Sequence, residues 1–123
     1  MVRGVDNRPQ LGTSYALPNG LRLTLRVARP SDAGGIQRLL DDLGIELDLL
    51  ELVRFDPRRR VVVCATSLIG STETVLGVGA IELDGAAPDL LIVDEWQAEG
   101  LAELLQGALL ARAAISQRAL RAA

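Results

Sequence analysis

Chemistry in this chain has a short list of sources. Of its 123 residues none is His or Lys, one is Cys, and all 13 basic residues are Arg. A Ser-His-Asp triad, a histidine base, a Schiff-base lysine and a lysine-bearing phosphate loop are therefore excluded, and one Cys makes neither a disulfide nor a thiolate zinc site. Carboxylates, hydroxyls, one thiol and backbone dipoles remain. The thiol, Cys64, sits inside the apolar run Val61-Val62-Val63-Cys64-Ala65, which predicts a small buried hydrophobe rather than a nucleophile. The junction Leu91-Ile92-Val93-Asp94-Glu95-Trp96-Gln97-Ala98-Glu99-Gly100-Leu101-Ala102 joins a short apolar segment to an Ala/Leu-rich one. If these are strand and helix, unpaired N–H groups gather there at the positive end of a helix dipole. That makes an anion site, and Gly100 and Ala102 are slim enough to let a phosphate approach the backbone.

The elements that position this junction follow from hydrophobic spacing. Leu21, Leu23, Leu25 and Val27 alternate with polar residues and predict a strand with one buried face. Pro30-Ser31-Asp32 stops it, and Ser31 or Asp32 is placed to cap a following helix. Ile36, Leu39, Leu40 and Leu43 form one stripe of that helix, which ends at Gly44. A less regular helix follows from about Glu46 to Arg54 and is terminated by Asp56-Pro57. Arg60–Leu68 and Thr74–Leu83 read as a hairpin turning at Gly70-Ser71, Asp89–Val93 as a short strand, and Glu99–Leu120 as a long helix. Leu101, Leu104, Leu105, Ala108 and Leu109 are its apolar side. The predicted order is β-α-α-β-β-β-α. Residues 1–20 keep no period and are broken by Pro9, Gly12, Pro18, Asn19 and Gly20, so they read as an N-terminal arm, with the domain at residues 21–123.

Composition bounds the partners. Hydrophobic residues at 49% suffice for one core. A net charge of -3 argues against duplex nucleic acid, which is bound through a basic surface. No run resembles a secretory signal or approaches the roughly 20 apolar residues of a membrane helix. A soluble cytoplasmic protein without metal is the expectation.

Gln97-x-x-Gly100-x-Ala102 is similar to the pyrophosphate-binding signature of the GNAT superfamily of acyl-CoA N-acyltransferases: Gln or Arg, two residues, Gly, one residue, then Gly or Ala. The opening Leu25-Arg26-Val27-Ala28-Arg29-Pro30-Ser31-Asp32 also looks like that family's first strand and helix entry, and the element order matches over residues 21–115. The resemblance implies an α/β fold, a mixed and mostly antiparallel sheet flanked by helices, truncated after the third main helix. It implies transfer of acetyl from the cosubstrate acetyl-CoA to an amine, small-molecule or protein. Pantetheine would pair with Leu91, Ile92 and Val93, and N–H groups of Gln97, Ala98, Glu99, Gly100, Leu101 and Ala102 would hold the diphosphate. The strand-end acids Asp89 and Glu82, with Asp84 behind them, are the available bases; a turn or surface carboxylate is the alternative for each. Arg58-Arg59-Arg60 could touch a cofactor 3′-phosphate or be a solvated turn. The competing function is a non-catalytic, degenerate GNAT-like module acting in dimerisation or partner binding. With the family's next strand and helix lacking, the uncovered strand edge and helix face predict a homodimer.

Overall fold

The computed structural model describes residues 14–84, 87–93 and 100–122. Its elements are β1 (Ser14–Ala16), β2 (Arg22–Val27), a 3₁₀ turn (Pro30–Asp32), α1 (Ala33–Leu43), α2 (Leu49–Val53), β3 (Arg60–Ile69), β4 (Thr72–Glu82), β5 (Asp89–Ile92) and α3 (Leu101–Ala122). The strands form one sheet in the order β1-β2-β3-β4-β5, and every neighbouring pair is antiparallel. Each expected strand and helix is found, and the described sheet is antiparallel throughout rather than mixed. Among the described residues no helix is long and apolar enough to cross a membrane.

Side-chain alternation divides the core in two. Leu23 and Leu25 of β2, Val61 and Val63 of β3 and Leu101, Leu105 and Leu109 of α3 pack on one face. Val62 and Cys64 of β3, Val78 of β4 and Ile36, Leu39 and Leu40 of α1 pack on the other. Strand β3, buried on both faces, is the unbroken apolar run that a doubly covered strand requires. Its register with β4 shifts between Ala65 and Thr66, so Leu76 is the extra residue. The bulge sends Val75 to the α1 face while Leu76 joins Leu105 on the α3 face. On β4, Gly77 and Gly79 carry no side chain where α3 crosses. A Cβ on Gly79 would lie 2.6 Å from Leu109 Cδ1 and 2.9 Å from Leu90 Cδ2, so the helix sits almost on the strand backbone. Gln117 Nε2 donates to the Leu83 carbonyl at 3.1 Å and fastens the far end of α3.

Residues 1–20, predicted as an arm outside the domain, contribute to the sheet from Ser14 onward. Tyr15 stands opposite Leu23, and Leu17 is 4% exposed in the α3-side core. The hairpin closes through Leu17 N–H to the Leu21 carbonyl, 2.7 Å, and Leu21 N–H to Asn19 Oδ1, 3.0 Å. Residues 1–13 lie outside the described residues. A deletion of residues 1–18 therefore removes a strand and a core leucine, and it cannot be neutral for stability.

Asp32 also differs from its expected role. It does not cap α1. Its Oδ2 turns back to accept from the Arg29 N–H, 2.7 Å, and from Arg26 Nη1, 2.6 Å, while Arg26 Nη2 reaches Glu73 Oε1 at 2.5 Å. One guanidinium thus ties β2 to the turn before α1 and to β4. Burial pushes the Asp32 carboxyl up, but the Arg26 and Arg29 donors and their charges outweigh it and hold it below the ordinary carboxylate value. A depressed carboxyl stabilises the fold above its unfolded value, about pH 4, and that stability is lost as pH falls through the lower folded value. Asp32→Asn is expected to cost about 2 kcal/mol at neutral pH. Its unfolding free energy should also change less than wild type's below about pH 4, which urea titrations at stepped pH will measure.

Candidate active site

The sheet face carrying Val78, Ala80 and Glu82 of β4 and Leu91 and Asp89 of β5 is open at one side of α1, and a groove of about 400 Å³ runs over it. Register sets its floor. Val78 pairs with Leu91 and Ala80 with Asp89, so these four side chains share a face, and Glu82 follows two residues beyond Ala80. Ile45 and Leu47, between α1 and α2, and Leu52 of α2 form the opposite wall. The groove is apolar along its length and charged at one end, where Arg60, Glu82 and Asp89 meet. Arg60 is committed to Glu82, with Nε 2.6 Å and Nη2 2.5 Å from Glu82 Oε1. Asp89 has no side-chain partner of this kind among the described residues, and it is exposed to incoming molecules. The two acids that sequence offered as bases are thus brought together, one pinned and one available.

The end of β5 away from Asp89 leads to the junction. Val93 N–H bonds to the Leu76 carbonyl at 3.0 Å. By alternation the N–H and C=O groups of Leu90 and Ile92 point away from β4. No described strand pairs with that edge. Of the trio Leu91, Ile92 and Val93, it is Ile92 that offers its backbone outward. Helix α3 starts at Leu101, and the Leu104 N–H bonds to the Gly100 carbonyl at 3.2 Å. The N–H groups of Leu101, Ala102 and Glu103 precede that first helical bond and have no acceptor in the helix. Gly100 has φ +90°, a conformation that favours glycine, and a Cβ there would meet nothing closer than Pro18 Cδ at 3.7 Å. Gln97, Ala98 and Glu99 lie outside the described residues.

Other sequence candidates are placed elsewhere. Cys64 is 0% exposed, and burial, then the Asp32 charge, pushes its thiol up to about 12, so it stays protonated and inert. Arg58 folds onto Asp56 and Arg60 onto Glu82, so two members of the arginine turn are engaged by acids within the chain. Asp84 does not line the groove. Leu47, expected on the inner face of the Glu46–Arg54 helix, instead precedes α2 and is half-exposed on the groove wall, while Ile45 and Leu52 were marked by no local pattern; only folding of that segment over β4 brings the three to the site.

The arrangement is similar to a solved one. The crystal structure of the GNAT domain of S. lividans PAT matches with a TM-score of 0.68 and 18% identity, over 85% of this chain and 72% of that chain. No family model and no curated protein sequence matches the chain. The chain therefore has a GNAT-like fold: an antiparallel five-stranded sheet with α1 and α2 on one face and α3 on the other.

Proposed function

We propose that the chain is an acyl-CoA-dependent N-acyltransferase that moves acetyl from acetyl-CoA to an amine held in the groove over β4 and β5. The observation that carries this reading is the convergence of Asp89 and Glu82, in a GNAT-like fold, at one end of an apolar groove on β5. The other end of that strand feeds the Gln97–Ala102 segment. Acetyl-CoA supplies the activated thioester.

The chain's own groups divide the remaining work. The outward backbone groups of Leu90 and Ile92 suit an extended amide arm as an added strand would. The unpaired N–H groups of Leu101 and Ala102 suit a diphosphate, with Gln97, Ala98, Glu99 and Gly100 completing the cradle. Asp89 receives the proton that an ammonium must lose before its nitrogen can attack, directly or through one water. Glu82, fixed by Arg60, keeps a negative charge beside it and favours a cation in the groove. As the C–N bond forms the C–S bond breaks, and the nitrogen's second proton leaves with the thiolate as CoA thiol.

Calorimetric titration tests this directly. Wild-type protein should release heat with both acetyl-CoA and CoA. Gly100→Val, which puts branched carbon where the backbone needs φ +90°, should weaken both by at least about tenfold and lower the melting temperature by only a few degrees. Wild-type protein that gives no heat with millimolar acetyl-CoA would remove the enzyme reading and favour a binding module.

A further inference from the structure

The groove's chemistry narrows the acceptor, and the inference rests on the acyltransferase reading above. We infer that the acceptor is a compact primary monoamine on an apolar skeleton, without a carboxylate or a second charge. Three observations point to it. Asp89 is available at the charged end, which suits one ammonium. Behind that end the floor, Val78, Ala80 and Leu91, and the wall, Ile45, Leu47 and Leu52, are aliphatic. They can desolvate a branched or aromatic body but offer a second charge no polar partner. The groove's cation, Arg60, is already spent on Glu82 through two of its nitrogens. Arg54 and Arg59 line an adjoining cleft, which shares Arg60 and Glu82 with the groove, and not the groove itself.

The α-carboxylate of an amino acid is a discriminating case. With its amine at Asp89, that carboxylate would lie beside Asp89 and Glu82, and among the described residues lining the groove no uncommitted guanidinium meets it. Like charge then opposes binding, and rejection comes from a repulsive element rather than from a lack of contacts. A polyamine meets the opposite problem, because its second ammonium would be laid over Val78 and Leu91. The body must also be compact, since the walled part of the groove is about 400 Å³.

Matched pairs test the assignment on the full chain. Isopentylamine and leucine share an apolar body and differ by the carboxylate; phenethylamine and phenylalanine do the same. Binding of each is measured by calorimetry without acetyl-CoA, and turnover by CoA thiol release with mass detection of the amide. Isopentylamine and phenethylamine should exceed their amino-acid partners on the order of 100-fold in both affinity and kcat/KM. Leu47→Arg adds a cation at a position already 50% exposed, so the fold should tolerate it. It should raise leucine turnover and lower that of isopentylamine, each about tenfold. Equal or better use of leucine, spermidine or a lysine-containing peptide by wild-type protein overturns the substrate class while leaving the acyltransferase reading intact. Binding of isopentylamine without any acetyl transfer overturns the acyltransferase reading and keeps the groove's ligand class. Absence of both overturns both.

Discussion

Replacing Asp89 with asparagine lowers kcat about 100- to 1,000-fold and leaves stability within about 0.5 kcal/mol of wild type. The first part follows from the groove. Asp89 is the carboxylate there without a partner among the described residues, so it is the one able to take a proton from the bound ammonium. The second follows from its exposure on β5 opposite Ala80, where an isosteric amide removes no packing. Glu82→Gln should act differently. It removes a carboxylate bound by Arg60 and weakens the cationic preference of the groove, so KM for the amine rises about tenfold while kcat falls less. The partly exposed pair is worth at most about 1 kcal/mol to stability. Initial rates of CoA release across amine concentrations separate the two. A Glu82→Gln enzyme that is dead beside an active Asp89→Asn enzyme would exchange the roles. Full activity in both would mean that the proton goes to neither.

Much of this arrangement was legible before any coordinates, and what was missed has identifiable causes. Period-two spacing from Leu21 to Val27 gave β2, the i, i+3, i+4, i+7 stripe gave α1, and Gly70-Ser71 gave the β3–β4 turn. All are local signals. Strand β1 was missed because three residues are too few to show a period. Yet Pro18-Asn19-Gly20 before a strong strand is a hairpin signal, and a hairpin needs an earlier strand. Gly77 and Gly79, alternating inside an apolar strand, could have marked a close helix crossing. Asp32 was placed by its neighbours in sequence, whereas its actual partner, Arg26, lies across the turn on the adjacent strand face. For the site, residue type put Asp89 and Glu82 forward, but their shared face depends on the β4–β5 register. The wall opposite them depends on tertiary folding of the α1–α2 segment, which no window of sequence contains. The signature at Gln97–Ala102 lies mostly outside the described residues, and its role stays with the proposal.

Leu105→Ala should be the most destabilising single truncation in the domain, costing about 4 kcal/mol. Leu105 is 0% exposed, and its side chain lies over the two glycines of β4. A Cβ on Gly77 would be 3.4 Å from Leu105 Cδ2, and one on Gly79 3.3 Å from Leu105 Cγ. Truncation therefore opens a hole whose floor is backbone. The two glycines have no side chain to fill it, which places the cost toward the upper part of the usual range. The same geometry gives an internal check. Gly77→Ala alone must squeeze its methyl against Leu101, Leu105 and the Leu91 carbonyl, at 3.3 to 3.4 Å, and should cost up to about 1 kcal/mol. In the Leu105→Ala background that methyl occupies part of the hole, so the double variant should be more stable than Leu105→Ala by about 1 kcal/mol. Urea unfolding with a common m value measures all four species. A cost below about 1 kcal/mol for Leu105→Ala, or simple additivity in the pair, would mean that α3 does not sit on the glycine strip. The consequence reaches the groove, because among the described strands β5 pairs with β4 alone, and it is backed by α3 through Leu90 and Ile92. Loosening α3 lets β5 move, so KM for both substrates should rise in Leu105→Ala, while Asp89→Asn lowers kcat and raises KM for the amine only.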